Sequence, residues 1–125
     1  MPPKTIRSTV MFRGDYKAEL RKSMDTIEVA IEKDLPAPFV VDSILGGNNN
    51  LKVRIEDTDR NLERIINCLF WFHHDNERYG YVNIDLVMTE FGMKSRTHLV
   101  GRFRVTDKEI MKDAVLKDMI RCMKM

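Results

Sequence analysis

The stretch GMKSRTHLVGRF, residues 92–103, decides the fold because it is compatible with two different local structures. Its glycine, Ser-Arg pair and apolar run are typical of the turn and second helix of a helix-turn-helix, with residues 83–91 as the first helix. In that arrangement the start of the second helix would enter the major groove of DNA, through Ser95, Arg96, Thr97 and His98.

The packing positions of this stretch favour two strands instead. A helix-turn-helix needs a small residue four positions before its glycine, where this chain has Met88. It also needs apolar residues where His98 and Gly101 stand. Residues 81–91 and 97–105 both alternate in the way that half-buried strands do. We therefore predict a hairpin here, with the helix-turn-helix as the alternative.

Three further strands are predicted towards the N-terminus. Residues 4–13 alternate between two faces. Residues 38–45 and 51–56 are rich in β-branched and other apolar residues, and GGNNN at 46–50 separates them. Because glycine and asparagine tolerate a positive φ, this pair is predicted to form a second hairpin.

Helices are predicted over residues 15–35, 57–80 and 106–125. Apolar residues recur every three or four positions in each, and prolines end the first. The second is the most hydrophobic. The third begins with a capping box, in which Thr106 is the cap and Glu109 stands three residues later.

The predicted order places the chain in the α+β class. It reads as a ferredoxin-like split βαβ core (β-α-β-β-α-β) with an added C-terminal strand and helix. With 125 residues, the chain is predicted to form a single domain, 1–125.

Composition indicates the environment of the protein. No apolar run is long enough to span a bilayer, and no secretory signal is recognised, so we expect no membrane association. Cys68 and Cys122 lie far apart in apolar surroundings, which favours buried reduced thiols and a cytoplasmic location. The net charge is only +2.

Cations on the outward positions of the predicted strands are the clearest functional signal. They would share one face of the sheet, where long basic side chains suit phosphate contacts. The alternative is that they are ordinary solvated strand exteriors. No aromatic residue stands among them on the predicted central strands. We therefore predict a small nucleic-acid-binding protein (RNA or DNA) of low sequence specificity, with these contacts: Arg7, Arg13, Lys52, Arg54, His98, Arg102 and Arg104.

A methionine-rich stripe on the last predicted helix is the second signal. Methionine fills irregular core gaps, but it also forms adaptable contact surfaces. We predict a partner or homodimer interface, with burial in the core as the alternative, formed by Met111, Val115, Met119 and Met123. The alternative function is accordingly a non-enzymatic regulatory or inhibitory module, which binds another protein, such as an acidic partner.

No catalytic, metal or cofactor site is predicted. His73 and His74 would point about 100° apart on a helix, so they would not converge on one ion. The GGNNN turn lacks the Lys-Ser/Thr and the following helix of a phosphate-binding loop. We therefore expect a protein that is not an enzyme.

Overall fold

The computed structural model describes the backbone of residues 3–75, 79–90 and 94–125, and the side chains of residues 16–74, 80–89 and 95–125. A long helix comes first, five strands follow, and a second helix ends the chain. The elements are α1 (Pro3–Asp34), β1 (Phe39–Gly46), β2 (Asn50–Asp57), β3 (Leu62–Asp75), β4 (Tyr79–Glu90), β5 (Lys94–Arg104) and α2 (Lys108–Lys124).

The five strands form one antiparallel sheet in which each strand pairs with the next one in sequence. β1 and β5 are therefore the two edges. The pairing of β2 with β3 ends where Asn50 meets Leu69, whereas β3 continues to Asp75 alongside β4. One end of the sheet thus consists of β3, β4 and β5 alone.

Both helices cover the same face of this sheet. Alternate residues of β2, β3 and β4 point towards the helices, as the two-residue period of a strand requires. They are all buried: Leu51, Val53, Ile55, Ile66, Cys68, Phe70, Val82, Ile84, Leu86 and Met88. Met24, Ile27 and Ile31 of α1 complete this core together with the apolar stripe of α2. Neither helix covers the opposite face, which we call the open face.

The α+β class is confirmed, but the ferredoxin-like order is not found. Residues 4–13 belong to α1 and not to a strand. Ile6 and Val10 stand four apart, a spacing that also suits one face of a helix. Residues 62–75 form β3, where a helix was predicted. In a long apolar run, periodicity does not separate a buried helix from a buried strand. Hydrogen bonding to both β2 and β4 stabilises this segment as a strand.

The two predicted hairpins are confirmed as β1–β2 and β4–β5. The helix-turn-helix alternative is therefore wrong, since residues 94–104 form a strand; part of its turn, residues 91–93, lies outside the described residues. Cys68 and Cys122 are both buried and free, and burial raises the pKa of each thiol. Among the helices that the structure describes, none is both long and apolar enough to cross a membrane.

Candidate nucleic-acid interface

The open face carries large apolar side chains that remain in contact with solvent. Trp71 on β3 is 43% exposed, and Leu99 on β5 is 71% exposed. On the edge strand β1, Val40 is 48% exposed and Leu45 is 64% exposed. Exposed apolar side chains mark a binding site where they lie together, whereas single ones are ordinary, so their neighbours on the sheet decide the matter.

One end of the open face combines aromatic rings with arginines. The strand register aligns two cross-strand rows there, each of which runs from β3 through β4 to β5. The first row is Trp71, Asn83 and Arg102; the second is His73, Tyr81 and Arg104. We call these six residues the aromatic–arginine patch.

Contacts within the patch hold its side chains in place. The rings of His73 and Tyr81 lie 6.3 Å apart between centroids. Arg102 donates from Nε to Oδ1 of Asn83 at 2.9 Å. The Nη groups of Arg102 have no partner among the described residues, so they remain available as donors. Trp71, His73, Arg102 and Arg104 are all exposed.

The extension of β3 beyond β2 places the patch at the three-stranded end of the sheet. Along this extension Trp71 and His73 point to the open face, while Phe72 and His74 point to the helices. The ring of Phe72 lies 5.8 Å from that of Tyr16 on α1, which anchors the extension. The alternation of FWFHH thus divides its aromatic rings between the core and the open face.

Charges at the opposite end of the open face largely compensate one another. Arg54 Nη1 lies 2.8 Å from Glu63 Oε1. A hydrogen bond between Asp42 and Glu63 raises the pKa of Asp42 and lowers that of Glu63, which Arg54 lowers further. Among the side chains that the structure describes, the two rows of the patch contain no carboxylate.

The carboxylate of Asp85 lies at the centre of the open face. Its cross-strand neighbours are Leu69 on β3 and Leu99 on β5. Burial among these side chains raises the pKa of Asp85.

Four of the seven predicted phosphate-binding residues lie on the open face: Lys52, Arg54, Arg102 and Arg104. Arg7 and Arg13 do not, because they belong to α1; their side chains lie outside the described residues. The structure therefore divides the predicted set into Arg102 and Arg104 at the patch, with Lys52 and Arg54 towards the other end.

His98 lies on the helix-facing side, contrary to the prediction. It pairs with buried Leu86, and its Nε2 atom is 3.4 Å from Oδ2 of Asp118 on α2. The reason is a β-bulge: Leu99 and Gly101 pair with consecutive residues of β4, so Val100 is an extra residue. The bulge reverses the alternation, and His98 and Arg102 point to opposite faces.

The methionine-rich stripe of α2 is part of the core and not a contact surface. All four of its side chains are fully buried within the single chain: Met111, Val115, Met119 and Met123. The expected partner interface is corrected accordingly, because α2 finds a complete apolar surface on α1 and on the sheet.

Sequence reasoning missed the aromatic part of the patch. The sequence predicts a helix around Trp71 and His73, which does not bring them beside the arginines on β5. Ile65 and Leu69, next to the buried positions of β3, are apolar as well, so this run carries no alternation that would mark a strand. Asn83 lies on a predicted strand, but nothing in the sequence indicates that it binds Arg102.

Comparisons with protein-family models, curated proteins and solved structures gave no match to the chain. The described side chains also contain no cluster of three or more His, Cys, Asp or Glu residues that would hold a metal ion. Function must therefore be inferred from the chemistry of the open face.

Proposed function

We propose that the protein binds single-stranded nucleic acid through the aromatic–arginine patch. The observation that carries this proposal is the pair of aligned rows, in which exposed Trp71 and His73 lie two strands away from Arg102 and Arg104. Adjacent strands are about 4.8 Å apart, so the backbones of β3 and β5, which carry the rings and the arginines, lie about 10 Å apart across the sheet. That distance allows a nucleotide to stack its base on a ring while its phosphate meets an arginine.

The chemistry favours a single strand over a duplex. An exposed indole ring can stack only on a base whose face is free, and bases in a duplex are already stacked. Stacking tolerates any base, and phosphate contacts carry no sequence information, so most of the affinity is independent of sequence.

A titration of labelled oligonucleotides tests the proposal. Single-stranded RNA, single-stranded DNA and duplex DNA are compared by fluorescence anisotropy over a series of salt concentrations. We expect binding of the single strands, with log K falling by about 0.7 per phosphate contact per unit of log salt, hence about 1.4 for two arginines. Absence of binding even at low salt would refute the proposal.

The sole tryptophan of the chain gives an independent reading of the site. Stacking of a base on Trp71 should quench its intrinsic fluorescence in step with the anisotropy change. Trp71→Ala should weaken binding by about 1–3 kcal/mol, the range for one base stacked on an aromatic ring. Leu45→Ala is the matched control, since Leu45 is more exposed but lies on β1, away from the patch; an equal loss in both variants would argue against the patch.

A second function, that of a protein-interaction module, is favoured by a different feature. The edge strand β1 borders a cavity of about 550 Å³ that is also lined by Glu28 and Glu32 of α1 and by Leu35, which follows the helix. Exposed Val40 lies beside it, and an edge strand can accept an added strand from a partner. Two results together would establish this function instead. The wild type would bind a protein and no oligonucleotide, and Val40→Lys would abolish the binding of that protein.

A further inference from the structure

The carboxylate of Asp85 lies close to the aromatic–arginine patch without belonging to it. Trp71 pairs with Asn83, and Asp85 is two residues further along β4 on the same face. Diagonal neighbours of this kind have Cα atoms about 7–8 Å apart, which is within reach of a large side chain or of a stacked base. A base on the indole of Trp71 can therefore direct one edge towards Asp85.

The surroundings of Asp85 make it a strong and selective acceptor. Leu69 and Leu99 flank it on the two neighbouring strands, and it is half-buried between them. No hydrogen bond or ion pair to its carboxylate occurs among the described residues. A partly desolvated carboxylate without a partner gains more from a ligand donor than an exposed one does.

The four bases differ in what they present to a carboxylate, which only accepts hydrogen bonds. The Watson–Crick edge of guanine has two adjacent donors, N1–H and N2–H, which match the two carboxylate oxygens. Uracil places its one N3–H between two carbonyl oxygens. Adenine and cytosine each place a ring nitrogen that accepts beside their amino group. Only guanine therefore donates two parallel hydrogen bonds without bringing an acceptor against the carboxylate.

We propose that Asp85 gives the site a preference for guanine at the position that stacks on Trp71. This inference rests on the proposed function, since it requires a single strand at the patch. It also assigns the open face one specific contact within an otherwise sequence-independent interaction.

Four oligouridines that differ only in one central base (G, A, C or U) test the preference in the wild type. We expect the guanine oligomer to bind roughly 5- to 150-fold more tightly, the range for one bidentate side chain–base pair. Inosine at the same position keeps N1–H and lacks the 2-amino group, so its affinity should fall between those of guanine and uracil. This series needs no substitution, so its outcome does not depend on how a variant folds.

Asp85→Asn removes the double acceptor, because an amide carries one donor in place of one oxygen. In this variant the guanine and uracil oligomers should bind alike, while the affinity for the uracil oligomer is kept. Asp113→Asn, which removes an exposed carboxylate from α2, is the control for the change in net charge and should retain the preference.

The outcomes separate the two proposals. Wild-type binding without a preference for guanine, or a preference that survives Asp85→Asn, overturns the role of Asp85 and leaves the proposed function standing. Absence of binding to all four oligomers overturns both.

Discussion

Arg64 on β3 donates from Nη1 to the carbonyl oxygen of Cys122 in the last turn of α2, at a distance of 3.0 Å. Its Nη2 donates to the carbonyl of Met125, and Arg60 donates to that of Met123. The last carbonyls of a helix lack partners within the helix and carry partial negative charge. Two arginines of the sheet region thus cap the C-terminus of α2.

The first prediction is that Arg64→Ala destabilises the fold. Hydrogen bonds from a charged donor contribute about 1.5–3 kcal/mol each, and the carbonyls at a partly buried helix end would lose them. We expect the free energy of unfolding in urea to fall by about 2–3 kcal/mol. Arg96→Ala is the control, because Arg96 is exposed on β5 and its side chain makes no hydrogen bond or ion pair with the described residues. Equal effects of the two substitutions would contradict the capping role.

Met119→Ala tests the assignment of the methionine stripe to the core. Met119 is fully buried, so the substitution should lower the free energy of unfolding by about 2–5 kcal/mol through lost burial and a cavity. Ile110→Ala on the same helix should change it by less than about 0.5 kcal/mol, because Ile110 is 61% exposed. A Met119→Ala protein of unchanged stability but altered elution in size-exclusion chromatography would instead support the partner interface.

Gly101 next to the bulge is predicted to resist substitution. Its φ is +152°, and a Cβ atom there would lie 3.1 Å from Cζ of Phe103. Gly101→Ala should therefore destabilise the protein by about 1–3 kcal/mol through backbone strain. Thermal unfolding monitored by circular dichroism gives the measurement, and an unchanged melting temperature would show that β5 tolerates a side chain at the bulge.

Asp57 is predicted to make stability depend on pH in the acid range. A hydrogen bond from Arg60 Nε, 2.7 Å long, lowers the pKa of this carboxyl below its ordinary value, and the N–H groups of Asp59 and Arg60 lower it further. The depressed folded-state pKa means that the stabilisation is present above the unfolded-state pKa and is lost as pH falls through the folded-state pKa.

Asp57→Asn provides the measurement of this effect. The variant cannot gain the proton, so the difference in urea midpoint between wild type and variant should be largest near pH 6 and should shrink as pH falls below about 4. Asp59→Asn is the control, because the carboxylate of Asp59 makes no hydrogen bond or ion pair with the described residues. A difference in urea midpoint that stays constant with pH would show that the negative charge of Asp57 does not contribute to stability.

The parts of the fold that sequence predicted are those with strong local signals. The glycine and asparagine turn at 46–50 fixed the β1–β2 hairpin, and the apolar spacing from Met111 to Met123 fixed α2. β3 was not predicted, because its apolar run fits both periods and the decision came from its two neighbouring strands. The ferredoxin-like order followed from that error and from the strand assigned to residues 4–13.

The candidate site was predicted only in part for the same physical reason. The sequence predicts Arg102 and Arg104 on an outward face because residues 102–105 alternate clearly. Trp71 came to the same face only through the register of β3 with β4, which is a non-local property. The position of His98 depended on the extra residue Val100, and a bulge has no signature in the alternation of a single strand.

Charge reversal at two positions of the open face distinguishes the patch from a uniformly basic surface. Arg102→Glu should weaken binding of single strands and reduce the salt slope by about 0.7, since one phosphate contact is lost. Arg54→Glu should have a smaller effect, because Glu63, 2.8 Å away, already compensates the charge of Arg54. The two variants carry the same change in net charge on the same face, so anisotropy titrations compare them directly. Equal losses of affinity would mean that the whole open face binds phosphate, and a greater loss for Arg54→Glu would move the site to the opposite end of the sheet.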